Sequence, residues 1–293
     1  MVCCSLRRGK GETACAREAA VVEALTPAQA ALEENMLEFF RECARVTPGV
    51  ELHDGDDLFW SLTEIPFPIF NSLHRTRATT AALPAMIEAA KARSRSKSVP
   101  IAWFVGPGSH PDDLGETLER HGFTNEGTTP GMIADLRALP EANGLPPELR
   151  IDRIADETAA RTWCDVLCDG FDLPRFLGDA HFALATRIGL QPDAIFAHYL
   201  AFWEGEPVAT AMLFPAAGVA GIYNVTTLAA ARRRGIGAAI TRRALGDAKA
   251  AGLSTAVLQA TEEGLGVYAS LGFVECLRYA MYLWDPATVT RRG

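Results

Sequence analysis

The sequence predicts an α/β protein: a mixed sheet with helices crossing over parallel neighbours, in a unit that occurs twice. Two observations carry this. From residue 149 on, apolar periodicity gives the order β-α-α-β-β-β-α-β-α-β, in which helices alternate with strands as crossovers require. The first half then offers counterparts in the same order. "IFNSL" at 69–73 parallels "IYNVT" at 222–226, and "LERHGF" at 118–123 parallels "YASLGF" at 268–273. Between those anchors each half has a helical pattern (80–92 and 237–250) and an apolar strand (100–105 and 255–260), as a duplicated fold would.

The elements of the second half follow in order. "LRIDRI" reads as a strand. Ala159, Trp163, Val166, Leu167 and Phe171 recur at helical spacing across 157–171, with Gly170 near the end, and a second helix covers 175–188. "AIFAHYLAFW" and "PVATAMLF" flank Glu204-Gly205-Glu206, a tight-hairpin signal, and "GIYNVTTL" is the next strand. A helix over 237–250 sets Ile240, Ala244, Leu245 and Ala248 on one face and stops at Gly252. "TAVLQA" is a strand, "EEGLGVYAS" a short helix and "RYAMYLW" a last strand.

Pro140, Gly144, Pro146 and Pro147 crowd "LPEANGLPPELR" and break helix and sheet alike, which marks the boundary. The expected division is a first unit at 26–140, a linker at 141–149 and a second unit at 150–293. Residues 1–25 lack the apolar stretch and cleavage site of a signal peptide and read as a ragged extension.

Composition narrows the function classes. With 48% hydrophobic and 22% charged residues the chain has ample material for a core. A net charge of −8 argues against a general nucleic-acid binder, which spreads basic charge over a face. No apolar run reaches the ~18 residues of a membrane span. Seven cysteines are scattered, and Cys164 and Cys168, four apart on a helix, have no second Cys or His pair to complete a metal site. Reduced thiols, no metal and a cytoplasmic location are expected.

The most informative stretch is "TLAAARRRGIGAAITRRAL", 227–245, where three arginines run into Gly-Ile-Gly at a helix start. Glycines there let backbone N–H groups turn toward an anion, and the helix end adds partial positive charge, so phosphate is the natural guest. A P-loop needs Gly-Lys-Ser/Thr, but Gly237 is followed by Ala238-Ala239. A dinucleotide fingerprint needs a third glycine where Ile240 stands and an acidic residue where Gln259 stands. The pattern that fits is Arg/Gln-x-x-Gly-x-Gly/Ala, on Arg232, Gly235 and Gly237.

With "YNVTTL" before it, "VLQA" after it and "YASLGF" beyond, this stretch resembles the pyrophosphate loop of the GNAT superfamily of acyl-CoA N-acyltransferases. The resemblance covers about 149–285, with its specific motifs in 222–273. It implies two tandem GNAT-like domains, each a mixed, centrally splayed sheet flanked by helices, the first a degenerate copy.

It also implies site roles. Val225, Thr226 and Thr227 splay from "VLQA", and their backbone N–H groups bond the acyl carbonyl. Arg232, Arg233, Arg234, Gly235, Ile236, Gly237 and Ala238 cradle the pyrophosphate. Tyr268 protonates the departing thiolate. Acetyl-CoA is the implied donor and an amine, small molecule or peptide, the acceptor; attack is direct, in a ternary complex, by a monomer or homodimer. Plainer readings stand beside these: a solvated arginine face, a core tyrosine, and Gly272 as a helix cap with Phe273.

The sequence also departs from the family. Many members place a Glu on the fourth strand of the unit to take the amine proton; here stand Tyr223 and Asn224, and Asn224 cannot be a base. Glu204, Glu206, Asp172 and His198 are substitutes acting through water, so the base is unassigned. Thr261-Glu262-Glu263 stands where many members have Asn. Asp169 and Asp172 fall in the acceptor loop and would suit a cationic amine.

In the first half "HRTRATTAAL" has no glycine, and Leu118 matches Tyr268. His74, Arg75 and Arg77 are therefore assigned to a surface or domain interface, and "FWSLTEIPFPIFN" to the wall of an acceptor pocket. The rival reading is a non-catalytic acyl-CoA-binding regulatory module, favoured by the absent Glu and opposed by Tyr268.

Overall fold

The computed structural model describes residues 25–139 and 144–290. The expected extension lies outside these except for its last residue, as does the start of the expected linker.

The first half runs α1 (Pro27–Val46), β1 (Glu51–Asp54), β2 (Phe59–Leu62), β3 (Ser72–His74), α2 (Leu83–Lys97), β4 (Ile101–Val105), α3 (Leu114–Arg120) and β5 (Thr124–Asp135). The second runs β6 (Leu149–Arg153), α4 (Glu157–Phe171), α5 (Arg175–Ile188), β7 (Ala197–Trp203), β8 (Glu206–Ala216), β9 (Val219–Thr227), α6 (Ile236–Ala250), β10 (Thr255–Gln259), α7 (Leu265–Ser270) and β11 (Val274–Trp284), then a short α8 (Pro286–Thr290). The order read from the sequence for the second half is the order found.

Local chemistry sets several boundaries. Thr26 and Gln29 form a reciprocal capping box before α1, and Pro27 opens it. Asp156 accepts from the Ala159 N–H at the start of α4. Gly252, at φ +91°, ends the α6 turn as the sequence indicates.

The two halves do not keep separate sheets. All eleven strands form one sheet in the order β1-β2-β3-β4-β11-β5-β10-β9-β8-β7-β6. The last strand of each half has crossed into the other: β11 lies between β4 and β5, and β5 lies between β11 and β10. The arrangement is pseudo-twofold about the β5–β11 pair. β3–β4 and β9–β10 are parallel, whereas β4–β11 and β10–β5 are antiparallel. Each half by itself would expose unpaired edges in mid-sheet; the exchange closes both.

One face carries α6 and α7 on Ala209, Ala211, Leu213, Ala256 and Leu258, and α2 and α3 on Leu73, Ile101, Trp103 and Tyr282. Alanines on both α6 and the sheet let helix and strands approach closely. The other face carries α4 and α5 over Phe196, Leu200, Met212 and Phe214, with α1 across the centre on Val219, Val257, Leu277 and Tyr279. Alternation along β7 sends Ala197, Tyr199 and Ala201 to one face and Phe196 and Leu200 to the other.

Candidate active site

β9 and β10 part company in mid-sheet. Their pairing is confined to Ala256↔Ala220, Val257↔Gly221 and Leu258↔Ile222, and Gln259 pairs instead with Gly131 of β5. Tyr223–Thr227 therefore present an edge without a β10 partner. A bulge reinforces the parting: between Thr210↔Thr226 and Met212↔Tyr223, β9 carries one residue more than β8, and Asn224 sits at φ +53°. The Thr210 hydroxyl donates to the Asn224 carbonyl and pins the bulge. The notch expected at Val225, Thr226 and Thr227 thus has a backbone cause.

The notch leads to the start of α6. Arg233 (φ +66°) and Gly235 (φ +75°) turn the chain, and Gly235 is the N-cap without a capping side chain. The first-turn N–H groups, on Ile236, Gly237 and Ala238, are left to an external acceptor. A Cβ on Gly237 would meet only the Thr227 hydroxyl, at 3.5 Å, so space lies open beside this turn.

The arginines divide their tasks. Arg232 donates from Nε to the Thr227 carbonyl and from a terminal nitrogen to Gly170 O, tying the loop to the end of α4. Arg234 lies over the Trp203 ring at 4.9 Å. Arg233 is exposed.

Tyr268 is buried on α7 in the cluster that holds Ile236, Ala260 and, at its margin, Val225 and Ala238. Phe273 meets its ring edge-on at 5.9 Å, and a Cβ on Gly264 would come within 3.0 Å of it, so glycine gives the ring its seat. Burial pushes the phenol up to about 12, which keeps it protonated at neutral pH.

The acceptor side lies under α4, α5 and α1. A Cβ on Gly170 would fall 2.4 Å from the Thr226 hydroxyl, so only glycine lets α4 lie this close to the notch. The Tyr223 hydroxyl donates to Asn35 Oδ1 on α1, whose amide in turn donates to Phe214 O and Ala216 O. Burial raises the Tyr223 phenol well beyond its ordinary value, so it is a structural anchor.

The candidate bases are dispersed. Glu204 and Glu206 stand at the β7–β8 turn, beyond the level of Ala209↔Thr227 and some six residues, roughly 20 Å, along β8 from Met212. Asp172 caps α4 and is exposed. His198 is buried on β7, and burial, with His181 and Arg153 nearby, pulls it down to about 3. Asp169 requires a correction: Arg175 holds its carboxylate at 2.6 Å, so it is not free for a cationic amine.

In the first half, His74 is core, stacked on Phe104 at 4.7 Å, while Arg75 pairs with Asp54 and Arg77 approaches Glu33 on α1 at 3.9 Å. Leu118 is fully buried. The 59–71 segment reaches the second half through Phe70, which meets His181 edge-on at 5.6 Å. A separate cleft of about 260 Å³ lies between α2 and β1–β3, lined by Trp60, Leu73, Met86 and Arg93 among others, away from the notch. Among the described residues no group of three or more His, Cys, Asp or Glu side chains is placed to hold a metal. Cys164 and Cys168 are buried, and burial raises both thiols.

Residues 166–273 match the model of the acetyltransferase (GNAT) family. That stretch is similar to a GNAT domain. Solved structures of the same fold cover nearly its whole length. A GCN5-related N-acetyltransferase from Kribbella flavida superposes with a TM-score of 0.68 at 19% identity, over 87% of this chain and 96% of that one. One from Sphaerobacter thermophilus gives 0.63 at 17%, over 88% and 92%. A tandem GNAT protein from the clavulanic acid biosynthesis pathway gives 0.58 at 13%, over 83% and 86%. At these identities the likeness is one of fold, and the fold is the tandem GNAT arrangement. No curated protein sequence matches the chain.

No local sequence signal marks Gly170 against Thr226, Asn35 under Tyr223, or His181 beside Phe70. Each joins segments distant in the chain. The one local trace is His181 four residues after the buried Leu177 on α5.

Proposed function

We propose that the chain is an N-acetyltransferase that moves the acetyl group of acetyl-CoA to an amine, by direct attack within a ternary complex. The observation that carries this is an unpaired β9 edge that runs directly into an uncapped helix start, over a core cluster that holds a buried, protonated phenol.

The division of labour is residue by residue. N–H groups of Val225–Thr227 polarise the acyl carbonyl, where developing negative charge needs fixed donors. N–H groups of Ile236, Gly237 and Ala238, with Arg233, hold the pyrophosphate; Arg232 and Arg234 brace the loop, one on backbone carbonyls and one on Trp203. Tyr268 supplies a proton to the leaving sulfur. Acetyl-CoA brings the activated carbonyl, so the protein need only orient and neutralise. In this reading residues 26–140 are a copy without chemistry and 150–293 hold the site, in a cytoplasmic protein.

The lack of a carboxylate on β9, where the Tyr223 hydroxyl is already engaged, supports the rival reading of an acyl-CoA-binding module. A thiol-release assay with acetyl-CoA and a panel of amines, polyamines, amino acids and aminoglycosides separates the two. Transfer to any acceptor supports the enzyme. Tight binding without transfer across the panel supports the module.

A further inference from the structure

In the first half, α2 does not cover the sheet out to its edge. It packs on Leu73, Ile101 and Trp103, while β2 and β1 run on beyond it. His53, Trp60 and Leu73 stand opposite one another across β1, β2 and β3 and so point to the helix side, as do Leu58 and Leu62 on either side of Trp60. From above, α2 brings Met86, Ala89, Ala90 and Arg93, which helical spacing sets on one face. The two alanines leave the space open, and the result is the cleft of about 260 Å³. The matching place in the second half, under α6, is filled. There the Tyr199 hydroxyl donates to Asp247 Oδ2 at 2.9 Å, and Arg243 lies over the Tyr199 ring at 5.9 Å. The cleft is therefore a property of the first half and not of the shared scaffold.

We propose that this cleft binds a small, neutral aromatic molecule of the size of indole or naphthol. Its floor is apolar: Leu58, Leu62, Leu73 and Ile101 are each at most 5% exposed. Trp60 stands half-buried in the wall, its ring held by Arg93 at 5.1 Å and His53 at 5.7 Å, and supplies an aromatic contact. An apolar cavity of about 150 Å³ holds benzene, so this larger volume suits a bicyclic guest. The rim decides the charge. Arg93 and Lys97 hold Glu51 at 2.7 and 3.0 Å, and Asp57 lies 3.9 Å from His53. Two cations thus stand against two carboxylates around the mouth, and none is left for a guest to neutralise. A charged guest would shed water over the apolar floor without a partner. The site lies away from the notch and stands independently of the transferase reading.

The test uses the full chain with methyl-¹³C methionine, titrated with indole and 2-naphthol to about 1 mM. The Met86 methyl resonance, assigned by its loss in Met86→Leu, is expected to shift saturably with one guest per chain. The same shift is expected with acetyl-CoA present at saturation. No shift at Met86, or displacement of the guest by acetyl-CoA, overturns the proposal. Indole-3-acetate and tryptamine add a negative and a positive charge, and each should bind about tenfold more weakly than indole or worse. Equal affinity overturns the neutral class. Ala90→Phe fills the cleft from α2 and is expected to abolish the response to indole while unfolding stays cooperative. Undiminished binding by that variant overturns the site. Should Ala90→Phe not fold, Ala89→Leu on the exposed rim of the same helix face carries the test, with a partial loss of affinity expected and an unchanged affinity overturning it.

Discussion

The two halves of the chain share a scaffold down to single hydrogen bonds and differ where a phosphate and a thioester would lie. In α7 and its exit, the Phe273 N–H donates to Tyr268 O at 3.1 Å around Gly272 at φ +89°. In α3 the Phe123 N–H donates to Leu118 O at 3.0 Å around Gly122 at φ +86°. Gly272 and Phe273 thus fill the same structural roles as Gly122 and Phe123, while Tyr268 has Leu118 at its position.

The helix starts diverge further. α6 offers Gly237 as its second residue, with its N–H available; α2 has Pro84 there, with none. The notches diverge most. β3 and β4 pair at Ser72↔Ala102 and Leu73↔Trp103, and the gap beyond is stitched shut. His110 donates from its N–H to Thr76 O at 2.8 Å, the Ala78 N–H donates to His110 O at 3.3 Å, and Trp103 Nε1 donates to the Thr76 hydroxyl at 2.7 Å. What the first copy retains is what the sheet needs. It lacks the open notch, the glycine turn before the helix and the buried tyrosine of the second.

The strongest way to break the comparison is to separate the copies. Because β5 and β11 each sit among the other's strands, the second half produced alone, from residue 146, is expected to lose cooperative unfolding and acetyl-CoA binding altogether. Co-expression with residues 1–139 should restore both. A folded, CoA-binding isolated half would show the exchange to be dispensable.

Next in size is Gly237→Val. Calorimetric titration of the wild type with acetyl-CoA should give close to one site per chain, since α2 has no counterpart of the cradle. The variant should bind almost none while its melting curve stays near the wild type, because the added carbons enter open space. Two sites in the wild type, or unchanged affinity in the variant, would refute the assigned difference between α6 and α2.

Tyr268→Phe removes the hydroxyl that Leu118 lacks at the matching position of the first half. The ring still packs on Phe273, so acetyl-CoA binding should hold while turnover at saturating donor and acceptor falls. Positioned acids contribute about 10²–10⁴-fold, and a thiolate is a good enough leaving group to place the loss toward the lower end. Full turnover on an established acceptor would make the tyrosine structural.

The smallest effect concerns stability in acid. Burial lowers His74 to about 3, His181 to about 4 and His198 to about 3, below their unfolded value of roughly 6.5. Between those limits the unfolded chain binds more protons, so stability falls as pH falls below about 6.5, with these three adding up to ~3 protons to the slope near pH 5.5. His74→Phe, in the first half, should remove close to one proton from that slope in denaturant titrations at successive pH values. An unchanged slope would mean that His74 is not held neutral.

The fold was legible because it rests on local signals. Glycine stops at 252 and 272, the Glu204-Gly205 turn and the alternation along β7 each act within a few residues. The turn before α6 was legible for the same reason: Gly235, at φ +75°, acts through backbone geometry within one turn. The exchange of β5 and β11 left no such mark, since Thr124–Asp135 and Val274–Trp284 read as strands whichever neighbours they take. Asp169 looked available because its partner Arg175 lies across the α4–α5 turn.

The exchanged strands also govern how the chain can be made. A ribosome delivers β4 long before β11, at about 5–20 residues per second, so the nascent first half waits with an unfilled slot between β4 and β5 until the final strand emerges. Completion of both copies therefore waits on synthesis of β11. A message truncated before residue 274 would yield a product that no length of incubation can mature.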